Sequence, residues 1–160
     1  MDYKIKKNNH YANPTIDRLW PFVFGTTLEG TFKFSKEAWY SRDSIKNTGW
    51  NKLLGVSGLR IHNNSGCLVW QPDFNHPRRI LISTYVYDKG IHKIQNIASV
   101  MVEDEILWKM IFRDDMWTFI VGLQLVDVDG SIPSLRFKAY PYFEGESKAP
   151  NTMVVTVNCK

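Results

Sequence analysis

The segment from Arg79 to Tyr87 constrains the fold of this chain more than any other part of the sequence. Successive side chains of a β-strand point to opposite faces, and this segment alternates over its whole length. One face would carry Ile80, Ile82, Thr84 and Val86, and the other would carry Leu81, Ser83, Tyr85 and Tyr87. Asp88-Lys89-Gly90 follows, with glycine where a tight hairpin requires a left-handed backbone. The segment therefore predicts an antiparallel strand that turns back at residues 88–90.

Comparable alternating segments recur along the chain, separated by turn sequences. Clear examples are residues 106–112, 117–121, 135–139 and 153–157. No stretch of ten or more residues shows the apolar period of an amphipathic helix. The spacing predicts about ten strands, which is typical of a sandwich or barrel. We expect an all-β, antiparallel two-sheet β-sandwich, and 160 residues are enough for its core.

The two ends of the predicted domain differ in character. Residues 1–16 are polar and end near the turn signal Asn13-Pro14, and three lysines fall within the first seven residues of a chain of net charge +4. We predict that residues 1–16 form an arm outside the core and that residues 17–160 form a single β-sandwich domain. The arm is the expected contact with other protein subunits.

Neither a secretory signal nor a membrane span is predicted, because no apolar run of sufficient length is present. The expected locations are the cytoplasm or a virion, without a membrane partner. Cys67 and Cys159 are too few for a disulfide framework, and no Cys-x-x-Cys pair occurs. Two reduced, half-buried thiols are expected, and a single disulfide remains open if their strands are neighbours.

Three segments, taken in order, carry a family resemblance. They are Trp50–Gly55 with the turn that ends at Gly66 and the strand that ends at Trp70, the hairpin Tyr85–Gly90, and Tyr140–Gly145 shortly before Ala149-Pro150. This order resembles the concanavalin-like (laminin-G-type) jelly rolls, including small uncharacterised bacterial and phage members. The resemblance implies a jelly roll with one concave sheet, whose face often binds glycans. It also implies that a minority of members are glycoside hydrolases or polysaccharide lyases, with paired carboxylates or a Tyr/His/Arg set on the concave strands. No such set can be assigned here residue by residue.

The sequence signals for catalytic and metal-binding residues are weak. The carboxylate pairs Glu103/Glu105 and Asp127/Asp129 share strand faces but flank turns, where acidic residues are ordinary. Asp127 to Gly130 opens a calcium-loop pattern, yet the later acidic ligands are missing, so a hairpin turn is favoured and calcium stays open. The four histidines, at positions 10, 62, 76 and 92, are isolated in sequence. We predict no catalytic residue, no metal and no cofactor.

Aromatic side chains are the remaining signal for binding. Exposed tyrosine and tryptophan rings can stack on sugars, although the same residues also fill sheet cores. The candidate ligand-binding residues are Trp39, Tyr40, Trp70, Tyr85, Tyr87, Tyr140 and Tyr142. Nucleic acid is disfavoured, because the basic doublet Arg78-Arg79 stands alone.

These observations favour a non-enzymatic recognition or assembly module, such as a phage capsid decoration or fibre domain that binds cell-surface glycans. The alternative is a small concanavalin-like polysaccharide hydrolase or lyase. A hydrolase of this kind needs two carboxylates that converge on the concave face. Neither the ligand nor the oligomeric state follows from the sequence.

Overall fold

A computed structural model describes residues 1–13, 22–45, 49–60, 62–144 and 147–160. Within these ranges the chain forms twelve β-strands and two short 3-10 helices, at Lys36–Ala38 and Arg42–Ser44. The strands are β1 (Asp2–Ile5), β2 (Ala12–Asn13), β3 (Thr27–Phe34), β4 (Asn51–Ser57), β5 (Ser65–Pro72), β6 (Arg79–Asp88), β7 (Ile91–Met101), β8 (Ile106–Arg113), β9 (Met116–Val121), β10 (Gln124–Asp129), β11 (Phe137–Ala139) and β12 (Met153–Cys159).

These strands form two antiparallel sheets. One sheet has seven strands in the order β10-β9-β8-β3-β12-β1-β2, and the other has five in the order β11-β4-β5-β6-β7. The predicted two-sheet β-sandwich is thus confirmed, with more strands than predicted. The predicted hairpin after residue 87 is also present, since β6 and β7 pair from Asp88 with Ile91 onward.

The core lies between the two sheets and is rich in aromatic rings. Trp70 and Phe34, from different sheets, pack with ring centroids 5.1 Å apart. Trp117 of β9 covers Gly66 of β5 so closely that a Cβ there would lie 2.2 Å from a ring carbon. Glycine at position 66 therefore lets the two sheets approach each other at this point.

Two of the aromatic residues predicted to bind ligand belong to this core. Trp70 is fully buried, and Tyr40 is buried with its hydroxyl accepting a hydrogen bond from the side-chain amide of Asn51 at 3.3 Å. Rings without access to solvent cannot stack on a ligand, so the assignment of these two residues is wrong. Trp70 lies on the core-facing side of β5, the face that also carries Gly66 and Leu68.

The N-terminal segment also differs from its prediction. β1 pairs with β12 along its whole length, and Tyr3 and Ile5 are buried together with Ala12 of β2. The predicted arm outside the core is therefore wrong for residues 2–13. Lys4, Lys6 and Lys7 are exposed. The segment is therefore as charged as a solvated arm, although β1 alternates between exposed and buried side chains. Residues 14–21, where the arm was predicted to end, lie outside the described part of the chain.

The two cysteines lie on strands of different sheets, and no disulfide joins them. Cys67 lies in β5 of the five-stranded sheet and is buried, whereas Cys159 ends β12 in the seven-stranded sheet and is exposed. The prediction that both thiols are half-buried is therefore wrong. Separately, none of the helices in the described ranges is long and apolar enough to cross a membrane.

Truncation of Ile5 tests whether the N-terminal strand belongs to the core. Ile5→Ala should lower the free energy of unfolding by about 2–5 kcal/mol, because it removes a fully buried side chain and leaves a cavity. The matched control is Lys4→Ala, whose side chain is exposed on the other face of β1. Equal stability of the two variants in urea denaturation would contradict the assignment of β1 to the core.

The buried phenol of Tyr40 predicts a specific loss of stability at alkaline pH. Burial raises its pKa from 10.0 to about 12, so the unfolded chain ionises first as the pH rises. This contribution is fully present below pH 10 and is lost between pH 10 and about 12, at about 2–3 kcal/mol. Tyr40→Phe should flatten the decline in unfolding free energy over this window. Parallel pH profiles for the variant and the wild type would show that Tyr40 makes no such contribution.

Candidate functional site

The outward face of the five-stranded sheet has a floor of small side chains. Because Gly66 faces Trp117 inside the core, its neighbours along β5 point outward. Cross-strand pairing then places Ala139, Gly55, Cys67 and Tyr85 in one row, and Ser57, Ser65, Tyr87 and His92 in the next. Small residues in the middle of both rows leave a cleft between larger side chains on either side.

The first side of the cleft is a wall of tyrosine and histidine rings. The hydroxyls of Tyr85 and Tyr87 lie 3.2 Å apart. The His92 ring is parallel to that of Tyr85, with centroids 5.4 Å apart, and His62 meets Tyr87 edge-on at 5.2 Å. Two phenols and two imidazoles therefore form one continuous cluster at the β6–β7 hairpin.

The opposite side is built by residues that follow β11. Tyr142 exchanges two backbone hydrogen bonds with Lys52 of β4, at 2.9 and 3.1 Å. The Lys52 ammonium forms an ion pair with Glu144 at 3.0 Å and lies 5.8 Å from the centroid of the Tyr142 ring. The buried side-chain carbonyl of Asn51 accepts a hydrogen bond from the Glu144 backbone N–H at 3.0 Å. This bond fixes the position of Glu144 beside the cleft.

A cavity of about 400 Å³ lies over the floor on this side. It is lined by Tyr11, Lys52, Ser57, His62, Lys138, Ala139, Tyr140, Pro141, Tyr142 and Glu144. His62 from the first side and Lys52 from the second both reach it, so the two sides enclose one site. Concave sites with a few converging polar groups are the usual form of ligand-binding sites.

The pKa values of two tyrosines and one cysteine of the cleft are raised. Burial is the main cause that raises the pKa of Tyr85, followed by its hydrogen bond with Tyr87 and by the nearby charge of Glu144. Burial also raises the pKa of Tyr142, with further effects from Tyr11 and Glu144. On the floor, burial raises the pKa of the Cys67 thiol to about 12. At neutral pH the two tyrosines are therefore proton donors, and the thiol is not a nucleophile.

The structure brings together only some of the aromatic residues that were predicted to bind ligand. Tyr85, Tyr87 and Tyr142 line or border the cleft, and half-buried Tyr140 lines the cavity while its ring contacts Tyr3. Trp39 lies elsewhere: it packs against the core, and its indole N–H donates to the Asp73 carbonyl at 3.5 Å.

The predicted carboxylate pairs do not converge. Glu103 and Glu105 are exposed beside the turn after β7, where Glu105 accepts a hydrogen bond from Thr31. Asp127 and Asp129 are exposed on β10 of the other sheet, and Asp129 forms an ion pair with Lys93 at 2.6 Å that lowers its pKa. Within the described ranges, no group of three histidine, cysteine or acidic residues could hold a metal ion.

A serine, an aspartate and a histidine also meet at the far end of β6, without forming a catalytic relay. Ser99 donates a hydrogen bond to Asp73 at 2.9 Å, and His76 contacts the same carboxylate oxygen at 3.0 Å. The hydroxyl also accepts a bond from Arg79 at 3.0 Å. Because the serine faces the carboxylate rather than the imidazole, no base is placed to activate it.

Sequence reasoning missed most of the charged and imidazole groups of the cleft. His92 lies directly opposite Tyr87 in the hairpin, a pairing that the turn at residues 88–90 could have revealed. Lys52 and Glu144 are 92 residues apart in the chain, and their pairing has no local signal. His10 and Tyr11 were assigned to an arm, although they border the cleft in the fold.

The comparisons with known proteins rest on structure alone. No family model matches the sequence, and no curated protein is similar to it. The fold is similar to that of an alginate lyase from Klebsiella pneumoniae, with a TM-score of 0.63 and 10% identity over 84% of this chain and 59% of that enzyme. It is also similar to alginate lyases from Alteromonas sp. 272 (TM-score 0.59, 8% identity, 99% and 76% of the two chains) and to alginate lyase AlyC3 (0.59, 14%, 99% and 74%).

These similarities confirm the concanavalin-like jelly-roll fold and correct the functional prediction. A non-enzymatic virion module was expected, whereas the solved structures that share this fold include alginate lyases, a polysaccharide lyase of family 18 and a glycosyl hydrolase family protein from Mycobacterium fortuitum. At such low identity the likeness shows the fold, and this chain spans 59% of the length of the Klebsiella enzyme.

Proposed function

We propose that this protein is a polysaccharide lyase that cleaves a uronic-acid-containing chain, with alginate as the first substrate to test. The observation that carries the proposal is the cleft on the five-stranded sheet. It sets the ring cluster of Tyr85, Tyr87, His62 and His92 opposite Lys52, in a fold shared with alginate lyases.

Eliminative cleavage of a uronate requires three groups. A base removes the proton from the carbon that carries the carboxylate, and the released electron pair forms a carbon–carbon double bond as the glycosidic C–O bond breaks. An acid gives a proton to the departing oxygen, and a cation stabilises the negative charge that develops on the carboxylate. No water is added to the bond, so the non-reducing end of one product is unsaturated.

We assign these three roles to groups of the cleft. Tyr85 is the acid, because its phenol lies on the cleft face, 3.2 Å from the hydroxyl of Tyr87, and has a proton to donate. His62 is the base, because its imidazole lines the cavity and packs edge-on against Tyr87. Lys52 binds the substrate carboxylate, and its ion pair with Glu144 orients the ammonium.

A lyase accounts for this cleft better than a hydrolase does. Glycoside hydrolases generally use two carboxyl groups on either side of the scissile bond. Among the residues that the structure describes, Glu144 is the one carboxylate that lines the cavity, and it is already paired with Lys52. Tyrosine, histidine and lysine, in contrast, supply the acid, base and cation of an elimination.

Removal of the Tyr85 hydroxyl tests the acid. Tyr85→Phe keeps the ring that packs against His92 but cannot donate a proton, so kcat on alginate should fall by about 100-fold or more. The measurement is the ultraviolet absorbance of the new double bond. Tyr3→Phe, a buried tyrosine of β1 outside the cleft, is the matched control and should keep wild-type activity. Undiminished turnover by Tyr85→Phe would reject this role.

The imidazole of His62 is tested in the same assay. His62→Gln should lower kcat by about 100-fold or more, because glutamine cannot accept the proton from carbon. His76→Gln is the control, since His76 is solvent-exposed and contacts Asp73 rather than the cleft. Wild-type protein that yields no unsaturated product from alginate, pectate or a glycosaminoglycan would contradict the proposed function itself.

A further inference from the structure

The N-terminal segment extends the five-stranded sheet beyond β11. The Phe143 backbone N–H donates to the His10 carbonyl at 2.9 Å, and Tyr11 forms an antiparallel bridge with Tyr142. Tyr142 in turn bridges Lys52 of β4. Residues 10–11 therefore act as an outer strand of the sheet that carries the cleft, whereas β1 and β2 belong to the other sheet.

Side-chain contacts hold this outer strand firmly. The His10 ring stacks on Tyr142 with centroids 5.7 Å apart, and its Nδ1 lies 2.7 Å from the Phe143 carbonyl oxygen. Tyr11 meets Tyr142 edge-on at 5.4 Å. Although it is anchored in this way, Tyr11 remains 56% exposed and lines the cavity.

An exposed ring on a fixed backbone is suited to stacking on a sugar. The ring offers a large contact area, and little conformational entropy is lost when it is already held in place. Not every exposed ring has such a setting: Phe24 is 77% exposed but is not among the residues that line the cavity. Tyr11 combines exposure, anchoring and a position at the end of the cleft.

The strand spacing indicates which part of a bound chain would reach Tyr11. The path from Tyr11 to β6 crosses four strand-to-strand steps, through Tyr142, Lys52, Val69 and Ser83. At about 4.8 Å for each step, Tyr11 lies about 19 Å from the strand that carries Tyr85. Lys52, to which we assign the substrate carboxylate, lies two of these steps, about 10 Å, from Tyr11. A sugar on Tyr11 therefore lies beyond the sugar that reacts.

We infer that Tyr11 is a stacking residue for a distal pyranose ring of a polysaccharide that lies across the strands from Tyr85 to the N-terminal segment. The inference rests on the proposed function for the location of the reacting bond. It makes Tyr11 a binding residue that favours long chains over short ones, and it gives the N-terminal segment a direct part in substrate recognition.

Binding to alginate chains of different length tests the inference without turnover. In the Tyr85→Phe background, calorimetry would compare long alginate oligosaccharides with a disaccharide. A second substitution, Tyr11→Ala, should raise the Kd for long chains by about three- to tenfold. It should leave disaccharide binding unchanged, because a disaccharide bound near residue 85 does not reach Tyr11. Tyr11→Phe should bind long chains as tightly as the parent does.

Controls separate this inference from the proposed function. Phe24→Ala, an equally drastic change at an exposed ring outside the cavity, should not alter Kd, and thermal unfolding should confirm that each variant folds. A long-chain Kd that Tyr11→Ala leaves unchanged, an equal loss for the disaccharide, or no binding of alginate at all would overturn the inference. Length-dependent binding through Tyr11 by a wild-type protein that forms no unsaturated product would instead reject the lyase and retain the stacking residue.

Discussion

The contact of Trp117 with Gly66 sets the geometry on which the rest of the structure depends. It brings β9 of one sheet against β5 of the other at a position where no side chain beyond hydrogen fits. With Gly66 turned inward, Ser65 and Cys67 must face outward, and the pairing of β5 with β6 carries this alternation to Tyr85 and Tyr87. A slip of one residue would exchange the core face for the cleft face.

One strand therefore serves both stability and function. The inward face of β6 places Ile80, Ile82 and Val86 in the core, and the outward face carries the two cleft tyrosines. Because both sets of side chains share one backbone, the packing that stabilises the sandwich also positions the phenols. The short side chains on β4 and β5 leave the space in front of them, so the cleft results from a pattern of side-chain size and not from a long loop.

The periodicity of the sequence was enough to predict the sheets, because strand alternation and turn residues act locally. The Arg79–Tyr87 segment, its hairpin and its two faces follow from neighbouring residues alone. Contacts between distant segments have no such signal. His10 and Phe143 are 133 positions apart, and only the closing of the sheets brings them together. In the N-terminal segment the buried residues Tyr3 and Ile5 are surrounded in sequence by lysines. The polar composition therefore predicted an arm where the fold has a strand.

The difference between local alternation and long-range register also explains which candidate residues lie away from the cleft. Glu103 and Glu105 lie beside the turn after β7, and Asp127 and Asp129 lie on the exposed face of β10 in the other sheet, so neither pair faces the cleft. Trp70 and Tyr40 have the chemistry of a sugar platform, but their place on the core side removes them. A residue type shows what a side chain can do, whereas the register between strands decides whether it meets a ligand.

The ion pair between Lys52 and Glu144 places a constraint on how the cleft handles an anionic substrate. The Lys52 side chain is only 12% exposed, and its ion pair with Glu144 offsets part of the cost of burying the ammonium. An ammonium has three donors, and one ion pair leaves donors for a second carboxylate. The pair is nevertheless neutral overall, so a substrate carboxylate gains from Lys52 mainly through a directed hydrogen bond.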